Sequence, residues 1–384
     1  MTVATAVAQA NALLGAGQLE QAEALLAPLL ASGQGPIPLW AAMAKCLRHQ
    51  GRAREALAIQ ERLVEAVPGN LGFRFDLSET LLLFGQFDRG WREYHHRYSL
   101  EHTTRIARKV QRPRWDGRPI PGRTLLIHDE QGFGDTLQFI RMAEWAKQRS
   151  QARVILEVTP HLLTLAKRCS GFDDLVERGT IPPAFDVHCE MMSLPMVMGL
   201  QLSQLPGKIP YVVPDPSRRR RWQKRLVTLP RPLVALNWAG RPTLYNGQNR
   251  AVSLATLAPL AAAGATFLSV QKGPPAEEAK TPPAGMSLAN LSDEIKDFED
   301  TAAILDIADL LISIDSAPAH LAGALGRPVW VMLGHVADWR WLMDRSDSPW
   351  YPTARLFRQP ARNDWDSVVA ALLPELERFK AGNG

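Results

Sequence analysis

The spacing of apolar positions along this chain changes character once. Over the first hundred residues a helical pattern repeats. Gly17, Gly51 and Gly85 stand 34 residues apart, each followed by a polar or basic residue and then by Leu19, Ala53 or Phe87. From Thr124 onward, short apolar runs alternate with helical segments instead. The runs are TLLIHD (124–129), RVILEV (153–158), DDLVER (173–178), FDVHCEM (185–191), LVALNWAG (233–240), TFLSVQKG (266–273), LLISI (310–314) and VWVML (329–333). Strands alternating with helices predict a parallel sheet covered on both faces, here in two α/β halves.

Within the repeating part, Trp40, Ala56 and Pro68 supply a large residue, a small one and a terminator in the middle copy, and Ala22 and Gly90 take the place of Ala56 in the others. Each helix pair must bury its apolar face on the next, with small residues where helices cross closely. A period of 34 is that of tetratricopeptide repeats. Such an array either extends the fold as a plain helical bundle or offers a groove to a polypeptide.

The most informative α/β stretch is LLISIDSAPAHLAGALGRP (310–328), which reads as strand, tight turn and helix, closed by Gly326 and Pro328. Ser316 suits the N-cap, Pro318 the first turn, and Ala317, Ala319 and Ala322 leave the entrance open. His320 lies four residues after Ser316 on the same face. A helix entrance of this kind favours a phosphate, although an N-cap serine alone accounts for the same pattern. A second turn, Glu130 to Thr136, follows the strand at 124–129. Gly132 and Gly134 begin a G-x-G-x-x-G fingerprint, and Glu157 stands where a ribose-binding acid would be. Leu137 replaces the third glycine, however, and Asp135 would repel a pyrophosphate at that turn.

Composition narrows the classes. The 384 residues are 46% hydrophobic with a net charge of +5 and a pI near 9.2. That mild excess of positive charge suits an anionic ligand and does not imply nucleic acid. Three scattered cysteines make neither a disulfide framework nor a zinc ribbon. With no secretory leader pattern and no apolar run long enough for a transmembrane span, the expectation is a cytoplasmic protein. Residues 101–123 are rich in Arg, Lys and Pro and read as a basic linker. PDPSRRRRWQKR (214–225) reads as a basic helical connector, most of whose arginines point into water because four in a row cannot share one helix face.

IDSAPAHLAGALGRPVWVML resembles the D-[TS]-x-x-x-H-L-A-x-A-L-G-x-P segment of the heptosyltransferase-like glycosyltransferases of family 9 and, more distantly, that of protein O-GlcNAc transferases. DFEDTA is similar to the family's F-x-D-T-A, and 338–341 and 350–359 to its D-W-R-W and W-Y-P-x-x-R-L-F-R-Q. The resemblance, spanning most of Leu125 to Gln359, implies two Rossmann-like domains in a GT-B arrangement. The expected boundaries are a tetratricopeptide array over 1–100, the linker 101–123, an acceptor domain over 124–213, a linker helix over 214–231, a nucleotide-sugar domain over 232–362, and a terminal helix over 363–384 returning to the N-terminal half.

The implied function is transfer of a sugar from a nucleotide-sugar donor to an acceptor hydroxyl, with inversion and with no cofactor. No D-x-D-like metal motif is evident, so no metal is expected. The resemblance gives Asp135 the role of base. Gly134, Asn237, Arg250, Gln271, Lys272, Asp315, Ser316, Ala317 and His320 are the donor-side candidates, and Gln131, Gln138 and His188 the acceptor-side ones. Lys272 as a solvated lysine remains equally open, and a histidine at a strand end such as His188 is more often a structural hydrogen-bonder than a catalyst. Asp297, Asp300 and Thr301 have helix capping as their alternative role, with Thr301 as the cap. Trp350 is expected to pack, and Trp339 either to pack or to stack on a base or sugar. Fusion of repeats to such an enzyme resembles O-GlcNAc transferases and bacterial protein glycosyltransferases, which implies a flagellin-like protein acceptor modified on Ser or Thr. The alternatives are a glycan or lipid acceptor, or an adaptor whose α/β part is a relic.

Overall fold

A computed structural model describes residues 1–100, 110–205, 207–240 and 250–382. The first nine residues of the expected linker and the polar loop 241–249, with Asn249, lie outside the described residues. The chain divides into two compact units. One contains the described residues up to position 107 together with 199–202 and 336–344, and the other contains the remainder.

Among its described residues the first unit holds six α-helices, α1 (Val3–Gly15), α2 (Leu19–Leu30), α3 (Ile37–His49), α4 (Ala53–Ala66), α5 (Leu71–Leu83) and α6 (Phe87–Tyr94). The 34-residue period is a repeated helix ending. Gly17, Gly51 and Gly85 have φ of 74°, 83° and 72°, just beyond α1, α3 and α5. The next amide in each case donates five residues back, Gln18 to Leu13, Arg52 to Leu47 and Gln86 to Leu81, all at 2.9 Å. Glycine is the residue that takes this left-handed position at no steric cost. Ala22 and Ala56 are fully buried. At Gly90 a Cβ would come within 2.8 Å of Leu82 Cδ2, so small residues do mark close helix crossings.

Residues 336–344 belong to this helical unit. The Trp339 ring is 5.2 Å from that of Trp91 and 5.8 Å from that of Tyr94, with the Arg340 guanidinium 4.1 Å from its centroid. Trp339 is therefore a packing residue, 3% exposed.

In the second unit, β1 (Thr124–His128), β2 (Arg153–Val158), β3 (Asp174–Glu177) and β4 (Val187–Glu190) form a parallel sheet in the order β3-β2-β1-β4. The second sheet joins β5 (Leu233–Asn237), β6 (Thr266–Ser269), β7 (Leu288–Asn290), β8 (Leu310–Ile314), β9 (Val329–Leu333) and β10 (Ala354–Arg358) in the order β10-β9-β8-β5-β6-β7. Its pairings are all parallel. The strand order reverses beside β1 in the first sheet and between β5 and β8 in the second, and ligands of open parallel sheets bind at the carboxyl ends of such positions. The edge strands β7 and β10 have no uninterrupted apolar run, which is why hydrophobic patterning did not announce them.

The α-helices among this unit's described residues are α7 (Phe133–Phe139), α8 (Met142–Ser150), α9 (Pro160–Ala166), α10 (Leu194–Met198), α11 (Pro216–Leu226), α12 (Phe298–Ile307), α13 (Ala317–Ala324) and α14 (Trp365–Gly382). Three expectations need correction. The terminal helix α14 packs on the second sheet's core, not on the N-terminal half. Its Val368, Val369, Leu372 and Leu376 join the cluster of Leu236, Leu260 and Trp330, and Lys380 reaches the carbonyls of Ala263 and Gly264. The arginine run in α11 is solvated in only two of its four members: Arg220 and Arg221 are exposed, whereas Arg218 meets Asp300 at 2.9 Å and Asp297 at 3.2 Å, and Arg219 meets Asp306 at 2.5 Å. Asp297, Asp300 and Asp306, at and along α12, sit at more than one height, so both Arg218 and Arg219 find partners. The cap of α12 is Asp297, accepting from the Asp300 amide at 3.1 Å, rather than Thr301.

Truncating Trp339 to Ala should destabilise the helical unit by about 3–5 kcal/mol, the usual cost of emptying a large aromatic site. The measurement is the lowest urea midpoint of the full chain, and an unchanged midpoint would return Trp339 to the solvent.

Candidate active site

The carboxyl end of β8 runs into Asp315 and Ser316 and then into α13. Ser316 sits at the N-cap position, yet its side chain makes no hydrogen bond to its own helix. Its Oγ donates instead to Asn237 Oδ1 at 2.7 Å. Asn237 Nδ2 donates to Gln271 Oε1 at 2.9 Å, and that oxygen also accepts the amides of Trp238 and Ala239. The Gln271 amide nitrogen donates to the carbonyls of Ala239 and Lys272. The expected donor residues Asn237 and Gln271 are thus brought together as a brace between the ends of β5, β6 and β8. Each of these buried polar groups has a partner, which turns a costly burial into a rigid frame.

Arg250 approaches the same end, with Nη1 3.0 Å from Asp315 Oδ2. Lys272 does not join them. Its ammonium is held by the carbonyls of Ser292 at 2.6 Å and Ile295 at 3.0 Å. Lys272 remains an exposed residue, and these bonds tie its ammonium to the chain after β7.

From the other sheet, the turn after β1 leads into α7, where Asp135 Oδ2 accepts the Gly132 amide at 2.8 Å. Gly134 lies against α13. A Cβ at this position would be 2.8 Å from His320 Cδ2 and 3.7 Å from Ala317 Cα. Glycine is required there for proximity, not for an unusual backbone angle. The contact brings Asp135, Gly134, Ala317 and His320 into one neighbourhood, together with Ser316, Asp315 and Arg250. His320 Nδ1 is 2.9 Å from the Tyr351 hydroxyl, and its Nε2 is 3.8 Å from Asp315 Oδ1. Trp350 is fully buried and packs edge-on against Phe139 at 5.5 Å; its carbonyl accepts from Arg141 at 3.0 Å.

The acceptor-side candidates fare differently. Gln131, in the turn itself, is half-buried. Gln138, on α7, is fully buried. His188 is 3% exposed, with Nδ1 3.1 Å from His128 Nε2. It is a buried hydrogen-bonder on β4. Glu157, the ribose-binding acid of the dinucleotide reading, is likewise fully buried.

His128, His188 and Glu190 bring one ligand atom each to within 4.8 Å of one another, the one such group among the described residues. Their chemistry fits a metal poorly. Arg114 grips both Glu190 oxygens, through Nε at 3.0 and 3.1 Å and Nη2 at 2.8 Å, so a fixed positive charge already occupies the carboxylate. Burial pushes the Glu190 carboxyl up, but Arg114 and the neighbouring His128 outweigh it and hold it down at about 2. Asp129, after β1, goes the other way: burial raises it, against the Thr159 amide and Arg178, which favour its charge.

Comparison with known proteins bears on this geometry. Residues 267–358 match glycosyltransferase family 9 (heptosyltransferase). The match takes in β8, α13 and Tyr351, whose hydroxyl meets His320. Protein FlbA of Caulobacter vibrioides is 25% identical over 337 residues, covering 80% of this chain and 55% of FlbA. The chain therefore spans about half the length of that curated relative. The ADP-heptose LPS heptosyltransferase II of E. coli superposes with a TM-score of 0.51 at 12% identity, covering 68% of this chain and 99% of that one. At that identity the likeness speaks for the fold. An O-GlcNAc transferase of Thermobaculum terrenum aligns over 99% of this chain and 93% of its own at 14% identity, with a TM-score of 0.32. No helix among the described residues is long and apolar enough to cross a membrane.

Tyr351 and Tyr211 carry no role in the sequence pattern, and the pairing of the donor-side candidates Arg250 and Asp315 emerges only in three dimensions. Tyr351 was visible inside a quoted motif, but nothing local signals that its hydroxyl lies under His320.

The Glu190 pair makes a pH prediction. Its folded pKa of about 2 lies below the ordinary 4.5, so its stabilisation is complete above about pH 4.5 and is lost as pH falls toward 2. Arg114→Ala should cost about 2–3 kcal/mol at pH 7, less than the breaking of a fully enclosed pair, because Arg114 is 45% exposed. Urea unfolding at pH 7 and pH 3 checks both, with the variant losing less than the wild type between them.

Proposed function

We propose that this chain transfers a sugar from a nucleotide-sugar to an acceptor hydroxyl, with inversion at the anomeric carbon and without a metal. The observation that carries the reading is the contact of Gly134 with His320. It puts the candidate base, one residue on, beside the helix entrance suited to a diphosphate. Asp135 takes the proton of the acceptor hydroxyl as its oxygen attacks the anomeric carbon. The bond from that carbon to the diphosphate oxygen breaks, and the electron pair leaves with the nucleoside diphosphate. The α13 dipole, the first-turn backbone at Ala317, His320 and Arg250 stabilise the charge that develops. Arg250 suits the task because an arriving diphosphate competes with Asp315 for a guanidinium already aimed at the entrance. Asn237, Gln271 and Ser316 contribute by holding that entrance rigid.

The helical unit supports a polypeptide acceptor. Its 34-residue period and repeated glycine caps fit tetratricopeptide repeats, whose surfaces take extended or helical segments. Covalent tethering then raises the local concentration of the acceptor. The acceptor atom would be a Ser or Thr hydroxyl of a flagellin-like protein, and the compartment the cytoplasm.

Asp135→Asn keeps the shape and the cap hydrogen bond to Gly132 in reach while removing basicity. Turnover should fall by about 10²–10⁴ with donor affinity little changed. The assay is single-turnover transfer with the nucleotide-sugar that a thermal-shift panel selects, read by intact mass on protein acceptors and on glycan or lipid acceptors in parallel. Full turnover by the Asn variant would reduce Asp135 to a turn residue. Transfer to glycan or lipid alone would remove the protein acceptor, and binding of no nucleotide at all would favour an adaptor.

A further inference from the structure

The amino edge of the second sheet carries a cavity that the chemistry above does not use. Its volume is about 500 Å³, within the range of small-molecule sites, and it opens where β5, β8 and β9 begin. The α13 entrance stands at the opposite end of β8. The charged groups lining the cavity are Arg219 on α11, Arg231 before β5 and Arg327 before β9, with Asp306 on α12 and Asp309 before β8. Three guanidinium groups face two carboxylates, which leaves one positive charge in excess.

Both carboxylates are already engaged. Asp306 is shared: its Oδ2 accepts from Arg219 Nε at 2.5 Å, and its Oδ1 from Arg327 Nε at 3.0 Å and Nη2 at 2.5 Å. Asp309 Oδ1 accepts from Arg231 Nη2 at 2.7 Å, and Oδ2 from the Leu233 amide at 2.7 Å. Arg219 Nη1 donates to Gln223, and Arg231 Nη2 also to the Ile307 carbonyl. These bonds fix the three guanidinium groups without exhausting them. Arg219 Nη2, Arg231 Nε and Nη1, and Arg327 Nη1 have no hydrogen-bond partner among the described residues. The three side chains are 41%, 55% and 39% exposed, so solutes reach them.

The chemistry of the occupant follows from the donors. A planar carboxylate is matched by one guanidinium fork, whereas a phosphate presents oxygens in several directions and accepts from cations supplied by three separate segments. Because the acids hold the arginines in place beforehand, little side-chain entropy is lost when an anion arrives. Leu226, Val227 and Leu229 add an apolar wall to the same cavity, which suits a carbon group attached to the phosphate.

We propose that this cavity binds a phosphate group carried on a small organic molecule, with Arg219, Arg231 and Arg327 as its clamp and residues 226–229 against its organic part. No residue of the α13 entrance takes part, so the site stands independently of the donor-site reading.

The test uses the full chain at low salt. Calorimetric titrations with phenyl phosphate, inorganic phosphate and benzoate are run on the wild type, Arg231→Gln, Arg327→Gln and Arg250→Gln, with urea midpoints to confirm that each is folded. Arg231→Gln is the decisive variant, because an ion pair this exposed contributes little to folding. The wild type should show a phenyl phosphate site that Arg231→Gln and Arg327→Gln each weaken about tenfold, that Arg250→Gln leaves in place, and that added salt weakens. Inorganic phosphate should bind there more weakly than phenyl phosphate, and benzoate more weakly still. Absence of such a site, or phosphate binding that is lost in Arg250→Gln and kept in Arg231→Gln, overturns the proposal. Benzoate binding as tightly as phenyl phosphate overturns the phosphate assignment, and inorganic phosphate binding as tightly overturns the organic part. Capture by phosphatidylglycerol vesicles that Arg231→Gln abolishes, with no phenyl phosphate binding, replaces the small molecule with a membrane surface and also overturns it.

Discussion

A missing side chain at position 134 is the constraint on which the site depends. The glycine turn after β1 and the first turn of α13 meet at van der Waals distance, with the His320 ring in the place a Cβ would need. Everything proposed for chemistry follows from that approach. The carboxylate at 135 and the helix entrance at 316–320 come from different sheets, and only backbone without a side chain lets them share a small volume. Close packing makes such a contact unforgiving, since displacing one ring moves the groups hydrogen-bonded to it.

The two sheets are held in register by charge as well as by packing. Arg168, after α9, pairs with Glu299 of α12, and the Tyr211 hydroxyl reaches back to the α7 carbonyl of Leu137. Trp350 of the second half lies against Phe139 of the first, and Arg141 donates to the Trp350 carbonyl. These ties surround the Gly134–His320 contact. Buried ion pairs contribute little net stability, because desolvation offsets much of their attraction, but they do discriminate strongly among geometries. That suits a site whose parts are contributed by two separate sheets.

Around the α13 entrance a second set of polar groups acts as scaffold. Gln271 is the centre, with its oxygen accepting three hydrogen bonds and its nitrogen donating two. A residue so occupied cannot also bind ligand without breaking the brace. The same reasoning assigns Lys272 to structure and leaves Arg250, His320 and the helix entrance as the groups that can meet an anion. Position at a strand's carboxyl end therefore selects a neighbourhood, and hydrogen-bond partners decide which members of it are available.

By itself, the sequence determined the two helix-and-sheet regimes, eight of the ten strands among the described residues with their parallel character, the glycine-capped 34-residue period, and the strand–turn–helix around Ser316. Those features are local: apolar periodicity, capping and φ > 0 positions are written in neighbouring residues. Only tertiary structure decided where α14 packs, that Trp339 belongs to the helical unit, that Arg218 and Arg219 pair with α12, and that Gln138 and His188 are buried. It also decided that Gln271 braces and that Tyr351 lies under His320. Each of these joins residues far apart in the chain, such as Trp91 with Trp339 or Arg114 with Glu190. Their identities show what they could bond with, but burial and partner are set by how the elements stack, which no local pattern encodes.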